Sequence, residues 1–184
     1  MPDREAIGLV ETISIAVGIR ITDEMAKTAP VEILESTAIC PGKFMVLVSG
    51  RVSPVEAALK RGTAVGGDVV VDTLFIPNVH PGVFPAILGA TDVGEVDALG
   101  IVETFTVASS ISAADAAAKA ARVTLIEIRL AKGLGGKAFF TFTGEVHEVE
   151  AAMDAALEVV KRGGNLVRSV VIPRPHADTI EKVL

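Results

Sequence analysis

Apolar positions along this chain fall into two textures, and their order of alternation occurs twice. Short runs of β-branched and aliphatic residues bounded by Gly, Pro or Ser read as strands, while apolar residues three or four apart read as helices. Ile7 to Glu11 is the first strand. Thr22 is placed to N-cap the body of a helix in which Met25, Ala26 and Ala29 share a face, after an irregular turn over 14–21. Val31 to Ala38 and Lys43 to Ser49 follow as strands joined by a hairpin. Ser53-Pro54-Val55-Glu56 then reads as a helix start, with Ser as cap, Pro first in the helix and Glu closing a capping box. That helix runs to the glycines at 62–66, and Val69 to Ile76 is the fourth strand. The order β-α-β-β-α-β is that of ferredoxin-like folds, an α+β (α/β) class with both helices on one face of an antiparallel sheet.

The second pass reuses the residues as well as the order. Ala6-Ile7-Gly8-Leu9-Val10-Glu11-Thr12 recurs 92 positions later as Ala98-Leu99-Gly100-Ile101-Val102-Glu103-Thr104, and Lys27 and Val31 recur as Lys119 and Val123. Beyond the hairpin the spacing becomes 94, so that Gly42-Lys43 matches Gly136-Lys137 and the stretch 52–58 matches 146–152. Near each end it becomes 96, with Ile76-Pro77 matching Ile172-Pro173 and His80 matching His176. A period this long marks a duplicated domain rather than a solenoid. The expected domains are residues 1–92 and 93–184. In the second, Ser112-Ala113-Ala114-Asp115 reads as the capping box of the first helix. Residues 83–88 and the acidic stretch 92–97 connect the halves.

Composition narrows the function. Half of the residues are hydrophobic, and the mean hydropathy is +0.53, yet no apolar run approaches the roughly 18 residues of a membrane span. The charged start Met1-Pro2-Asp3-Arg4-Glu5 lacks the apolar core of a signal peptide. A cytoplasmic protein without a membrane partner is expected, its apolar surplus buried partly between subunits. A net charge of −6, no Lys/Arg cluster and no Trp or Tyr argue against a nucleic-acid partner. One cysteine excludes an internal disulfide and any multi-cysteine metal site made by a single chain. A symmetric oligomer still brings several copies of it together.

That cysteine sits where the halves differ most. The first hairpin carries Ile39-Cys40-Pro41-Gly42 and the second Lys132-Gly133-Leu134-Gly135-Gly136. A repeat that diverges at one loop has specialised that loop. Two readings of Cys40 stand: a small buried hydrophobe, or a turn-borne ligand beside Pro41 and Gly42, which shape the loop. Gly133-Leu134-Gly135-Gly136 lacks the Walker pattern of a phosphate loop and leads into the strand Lys137-Ala138-Phe139-Phe140. His80 and His176, kept in both halves, read as residues of the shared fold rather than a catalytic centre. His147 replaces Ser53 on the surface, and no Ser/His/Asp arrangement is present.

Each half resembles a bacterial microcompartment shell domain. The match rests on the first strand, on Met25-Ala26-Lys27-Thr28-Ala29, on the loop before Gly42-Lys43, and on Ile172-Pro173-Arg174-Pro175-His176. Ile39-Cys40-Pro41-Gly42-Lys43-Phe44 with Gly135-Gly136-Lys137 and Pro173-Arg174-Pro175-His176 is similar to the propanediol-utilisation tandem shell proteins that carry an iron–sulfur cluster. The resemblance implies two unpermuted domains per chain and a homotrimer forming a pseudo-hexameric tile of a microcompartment shell. It implies a pore lined by Ile39, Cys40, Pro41, Gly42, Gly133, Leu134, Gly135 and Gly136. Cys40 of three subunits would hold a shared 4Fe–4S cluster, one thiolate short of the usual four, for electron transfer across the shell. Lys27, Lys119 and Arg174 would contact neighbouring tiles, although Lys27 and Lys119 also suit helix ends as cations. The first half has no arginine in Pro77-Asn78-Val79-His80, so its edge differs.

The implied role is structural, with no enzyme turnover; other shell proteins and an encapsulated redox enzyme are the partners. Two rivals stand beside it. One is a metabolite-conducting pore without a cluster, and the other a ferredoxin-like oligomeric enzyme or small-molecule sensor. The second is weakened because no loop carries paired acid and base candidates.

Overall fold

In the computed structural model, which describes residues 4–183, the β-α-β-β-α-β order holds in both halves. Met1–Asp3 of the charged start, and Leu184, lie outside the described residues. The first half contains β1 (Ala6–Thr12), α1 (Ile15–Thr28), β2 (Glu32–Ile39), β3 (Lys43–Gly50), α2 (Val52–Gly66) and β4 (Val70–Ile76). The second contains β5 (Ala98–Thr104), α4 (Val107–Ala120), β6 (Thr124–Arg129), β7 (Ala138–Gly144), α5 (Val146–Arg162) and β8 (Leu166–Pro173). Each repeat is followed by a short helix, α3 (Val83–Leu88) or α6 (Ala177–Val183). Among the described residues no helix is long and apolar enough to cross a membrane.

The sheets have the orders β2-β3-β1-β4 and β6-β7-β5-β8, with every pairing antiparallel. The register repeats too: Thr12 faces Phe44 as Thr104 faces Ala138. Alternation sends Ala6 and Val10 of β1 toward the helices, where they pack with Ile21, Met25, Val46, Val48, Val55 and Ala58.

The helices begin earlier than the residue types suggest. Ser14, not Thr22, caps α1, its Oγ accepting from the backbone N of Val17 at 3.3 Å. Thr22 lies mid-helix and donates its hydroxyl to the carbonyl of Gly18 at 3.0 Å, a local bond that a helix interior tolerates. Thr106 likewise caps α4 by accepting from Ser109 N at 3.1 Å, so the capping box at Ser112–Asp115 does not form. α2 starts at Val52 after Arg51, which makes no side-chain cap bond. Ser53 is therefore inside the first turn, and Pro54 still occupies one of the positions whose N–H has no helical acceptor.

By contacts the chain separates into one unit of residues 1–79 with 132–136, and another of 80–131 with 137–184. The connecting helix α3 goes with the second unit because it packs on β6. The loop at 132–136 goes with the first.

Candidate functional site

The β2–β3 hairpin closes on the pair Ile39–Lys43, leaving Cys40, Pro41 and Gly42 as its tip. Gly42 takes a φ of 74°, which side chains avoid. Ile39 is buried, and Cys40 is a free, half-buried thiol. The deep-burial reading of Cys40 is thereby weakened.

Against this tip lies the loop that belongs to the second repeat in sequence and to the first unit by contact. It holds Gly133, Gly135 and Gly136 at φ between 62° and 89°. Gly136 has a further reason to be glycine. A Cβ there would stand 2.9 Å from the carbonyl oxygen of Cys40 and 2.9 Å from Pro41 Cδ. Lys132 Nζ bonds Glu35 Oε1 at 2.8 Å, tying the loop to β2. The structure thus brings Cys40, Pro41 and Gly136 together within one chain. Each hairpin also carries a lysine after its last glycine, aimed at a strand carboxylate: Lys43 is 3.7 Å from Glu11 and Lys137 is 2.7 Å from Glu103.

The other sequence candidates sit away from the loops. Lys27 and Lys119 near the ends of α1 and α4 each bind the aspartate one turn earlier, Asp23 and Asp115, at 2.6 Å. The Asp23 hydrogen bond raises the pKa of Lys27 above its ordinary value, so it remains a cation. Arg174 follows β8 with a φ of 46°, and its first-half counterpart Asn78 has a φ of 57°. Asparagine tolerates that region, whereas arginine is strained there. The Arg174 N–H donates to the carbonyl of Asp97 at 2.7 Å.

His80 and His176 prove to be matched corner residues. Nδ1 of His80 accepts from Gly82 N, and Nδ1 of His176 from Asp178 N, each at 3.2 Å. His147 is exposed between Glu145 and Glu148. Among the described residues no group of three or more His, Cys, Asp or Glu could hold a metal ion.

The reading of the sequence missed Glu35, Lys132 and the pair Asp23 and Asp115. Lys132 and Glu35 are far apart in sequence and give no local signal. Asp23-x-x-x-Lys27 and Asp115-x-x-x-Lys119 lie one repeat apart, a signal that was present and unused.

Comparison with known proteins places this arrangement. The BMC domain matches twice, over residues 6–79 and 98–175. The chain belongs to the family of bacterial microcompartment shell proteins built on that domain, here two in tandem. It is 46% identical over 172 residues to the bacterial microcompartment shell protein PduT of Citrobacter freundii, covering 94% of each chain. A single half is 41% identical over 86 residues to the shell protein EutM of Salmonella typhimurium, covering 88% of it. Among solved structures, a microcompartment protein from Desulfitobacterium hafniense superposes with a TM-score of 0.90 at 46% identity, covering 96% of this chain and 98% of that one.

Proposed function

We propose that three copies close head to tail into a pseudo-sixfold shell tile, and that Cys40 from each copy converges on the axis to hold a 4Fe–4S cluster. One observation carries the assembly: each unit leaves open a face that its counterpart has covered. On the sheet face away from the helices, Ile7 and Leu9 are buried completely. Of their counterparts Leu99 is equally buried, but Ile101 is only half-buried. Ile101 lines a cavity of about 360 Å³ with Glu103, Phe139, Arg168 and Val170. On the first helix the asymmetry reverses: Val107 and Ile111 of α4 are fully buried, while Ile15 and Ile19 of α1 are 45% and 58% exposed. Two unlike apolar faces open on one chain make a heterologous contact, which closes into a ring when the rotation allows. Three chains supply six domains.

The donor set fits the cluster only in such a ring. Thiolate is the ligand iron–sulfur clusters take, and each chain supplies one, on a tip that Gly42 and Gly136 keep narrow. Three Cys40 thiolates would hold three irons and leave the fourth to a ligand from outside the protein. A bound cluster supplies one-electron transfer, which in a shell tile would connect an encapsulated redox enzyme with the outside. Other shell proteins are the neighbours at the edges marked by Lys27, Lys119 and Arg174.

Anaerobic purification with iron and sulfide analysis, and electron paramagnetic resonance of the reduced protein, tests the cluster. Cys40→Ser is expected to lose the iron and the signal while still assembling. Equal iron in Cys40→Ser and parent would sink the cluster and leave a metabolite pore. A stable monomer by light scattering would sink the tile.

A further inference from the structure

The two repeats end in the same corner, but only the first corner is docked. There the backbone N–H of His80 donates to Asp115 Oδ1 at 2.7 Å, while Oδ2 of that carboxylate takes Lys119 Nζ at 2.6 Å. The carbonyl of His80 accepts from Val83 N at 3.0 Å and starts α3. α3 packs on β6, leaving Phe84 6% and Leu125 3% exposed. All of these residues belong to the second unit.

The second corner makes the same turn with nothing to dock on. The carbonyl of His176 accepts from Thr179 N at 2.9 Å, and α6 follows with Ile180 where α3 has Phe84. Among the described residues the His176 N–H meets no acceptor in the chain. The matching acceptor is idle as well. Asp23, the counterpart of Asp115, takes Lys27 Nζ on Oδ2 at 2.6 Å and has no partner on Oδ1 among the described residues. Its side chain is 56% exposed, against 9% for Asp115. On β2, which packs on α1, Ile33 is 39% exposed where its counterpart Leu125 is buried.

We propose that the His176 corner and α6 of one copy dock on α1 and β2 of a second copy, His176 N–H donating to Asp23 Oδ1 and Ile180 covering Ile33. The occupant is a second copy of this chain because donor and acceptor are both unused within one. The docked first corner is the template for their pairing. The latch rests on the head-to-tail tile and names the atoms that hold it.

The test is sedimentation over a dilution series, together with amide exchange at His176. A hydrogen bond to a carboxylate makes Asp23→Ala associate about ten- to a hundredfold more weakly per contact. Asp23→Asn keeps an acceptor oxygen and recovers most of that loss. The His176 amide exchanges slowly in the assembled parent and fast in Asp23→Ala. If the parent assembles but this amide exchanges freely, or if Asp23→Ala associates as tightly as the parent, the latch is overturned and the tile stands. A parent monomeric at every concentration overturns both.

Discussion

Where the second half ties Arg122 to Glu148, the first half has Pro30 and Pro54. In the second half the backbone N–H of Arg122 donates to Glu148 Oε2 at 2.8 Å, and its guanidinium to Oε1 at 3.0 Å. Pro30 has no N–H to satisfy, so the proline at 54 leaves no donor orphaned. A second exchange lies in the cores. Gly18 and Phe44 of the first half correspond to Ser110 and Ala138 of the second. A Cβ on Gly18 would overlap the Phe44 ring. With alanine at 138, the second half has room for a fully buried serine, whose hydroxyl nonetheless finds no partner among the described residues. The repeats have kept the backbone and traded side chains in pairs. Exchange by pairs is what a close-packed interior demands, since neither change fits alone.

The largest test of this comparison is to transplant one such pair. Phe44→Ala is expected to cost about 3–5 kcal/mol through the cavity it leaves, and Gly18→Ser about 1–3 kcal/mol through overpacking. Together they rebuild the Ser110–Ala138 combination, so the double variant loses less than the sum. Denaturant unfolding of the four proteins measures the coupling. Costs that simply add would show that the two positions fill independent space, and the paired exchange would be coincidence.

A smaller effect separates the two aspartates. Asp115→Ala strips a buried acceptor from the His80 N–H, and an orphaned donor of this kind costs about 1–3 kcal/mol. That loss is present at every protein concentration. Asp23→Ala removes an exposed side chain whose own-chain pair with Lys27 contributes little. Its main effect on thermal stability therefore appears only where copies associate and grows with concentration. Melting both variants at low and high concentration reads the difference. A loss for Asp23→Ala as large as that for Asp115→Ala and unchanged by concentration would mean that Asp23 serves its own chain rather than a neighbour.

How much of this was legible follows from the range of each interaction. Strands were read closely, because Ala6–Thr12 and Lys43–Gly50 carry their pattern in adjacent residues and end at turn formers. Helix starts were misread at Thr22, Ser53 and Ser112, where residue type suggested a cap. The chain starts α1 and α4 at the first hydroxyl beyond β1 and β5, Ser14 and Thr106. The threonines ending those strands prepare both starts, Thr12 donating to the carbonyl of Ser14 and Thr104 to that of Thr106, each at 2.8 Å. The repeat offset pairs these residues, so the information was there and local propensity outvoted it. At the candidate site, the turn at Cys40 was legible from Pro41 and Gly42. The approach of Gly136 to the Cys40 carbonyl was not, because nothing near either residue records it. The open and covered faces were equally invisible, since Ile15 and Val107 are alike in character and differ only in what surrounds them.

The smallest effect follows from Glu148. The backbone N–H of Arg122, and then its guanidinium, hold this carboxyl below its ordinary value of 4.5. A carboxylate depressed by folding binds its proton more readily when unfolded, so stability rises with pH across the interval between the two values. The contribution is complete above the unfolded value near 4.5 and disappears as pH falls through the folded one. Glu148→Gln keeps an oxygen for the Arg122 N–H but cannot titrate. The gap in denaturant midpoint between parent and variant is therefore expected to be constant near neutral pH and to narrow below about pH 4.5. The first half, with Pro30 and Pro54 at these positions, has no counterpart to this loss. A gap that does not change with pH would mean that solvent screening removes the advantage of the ionised form. The ion pair would then be only a substitute for the two prolines, bonding an N–H that the first half never had.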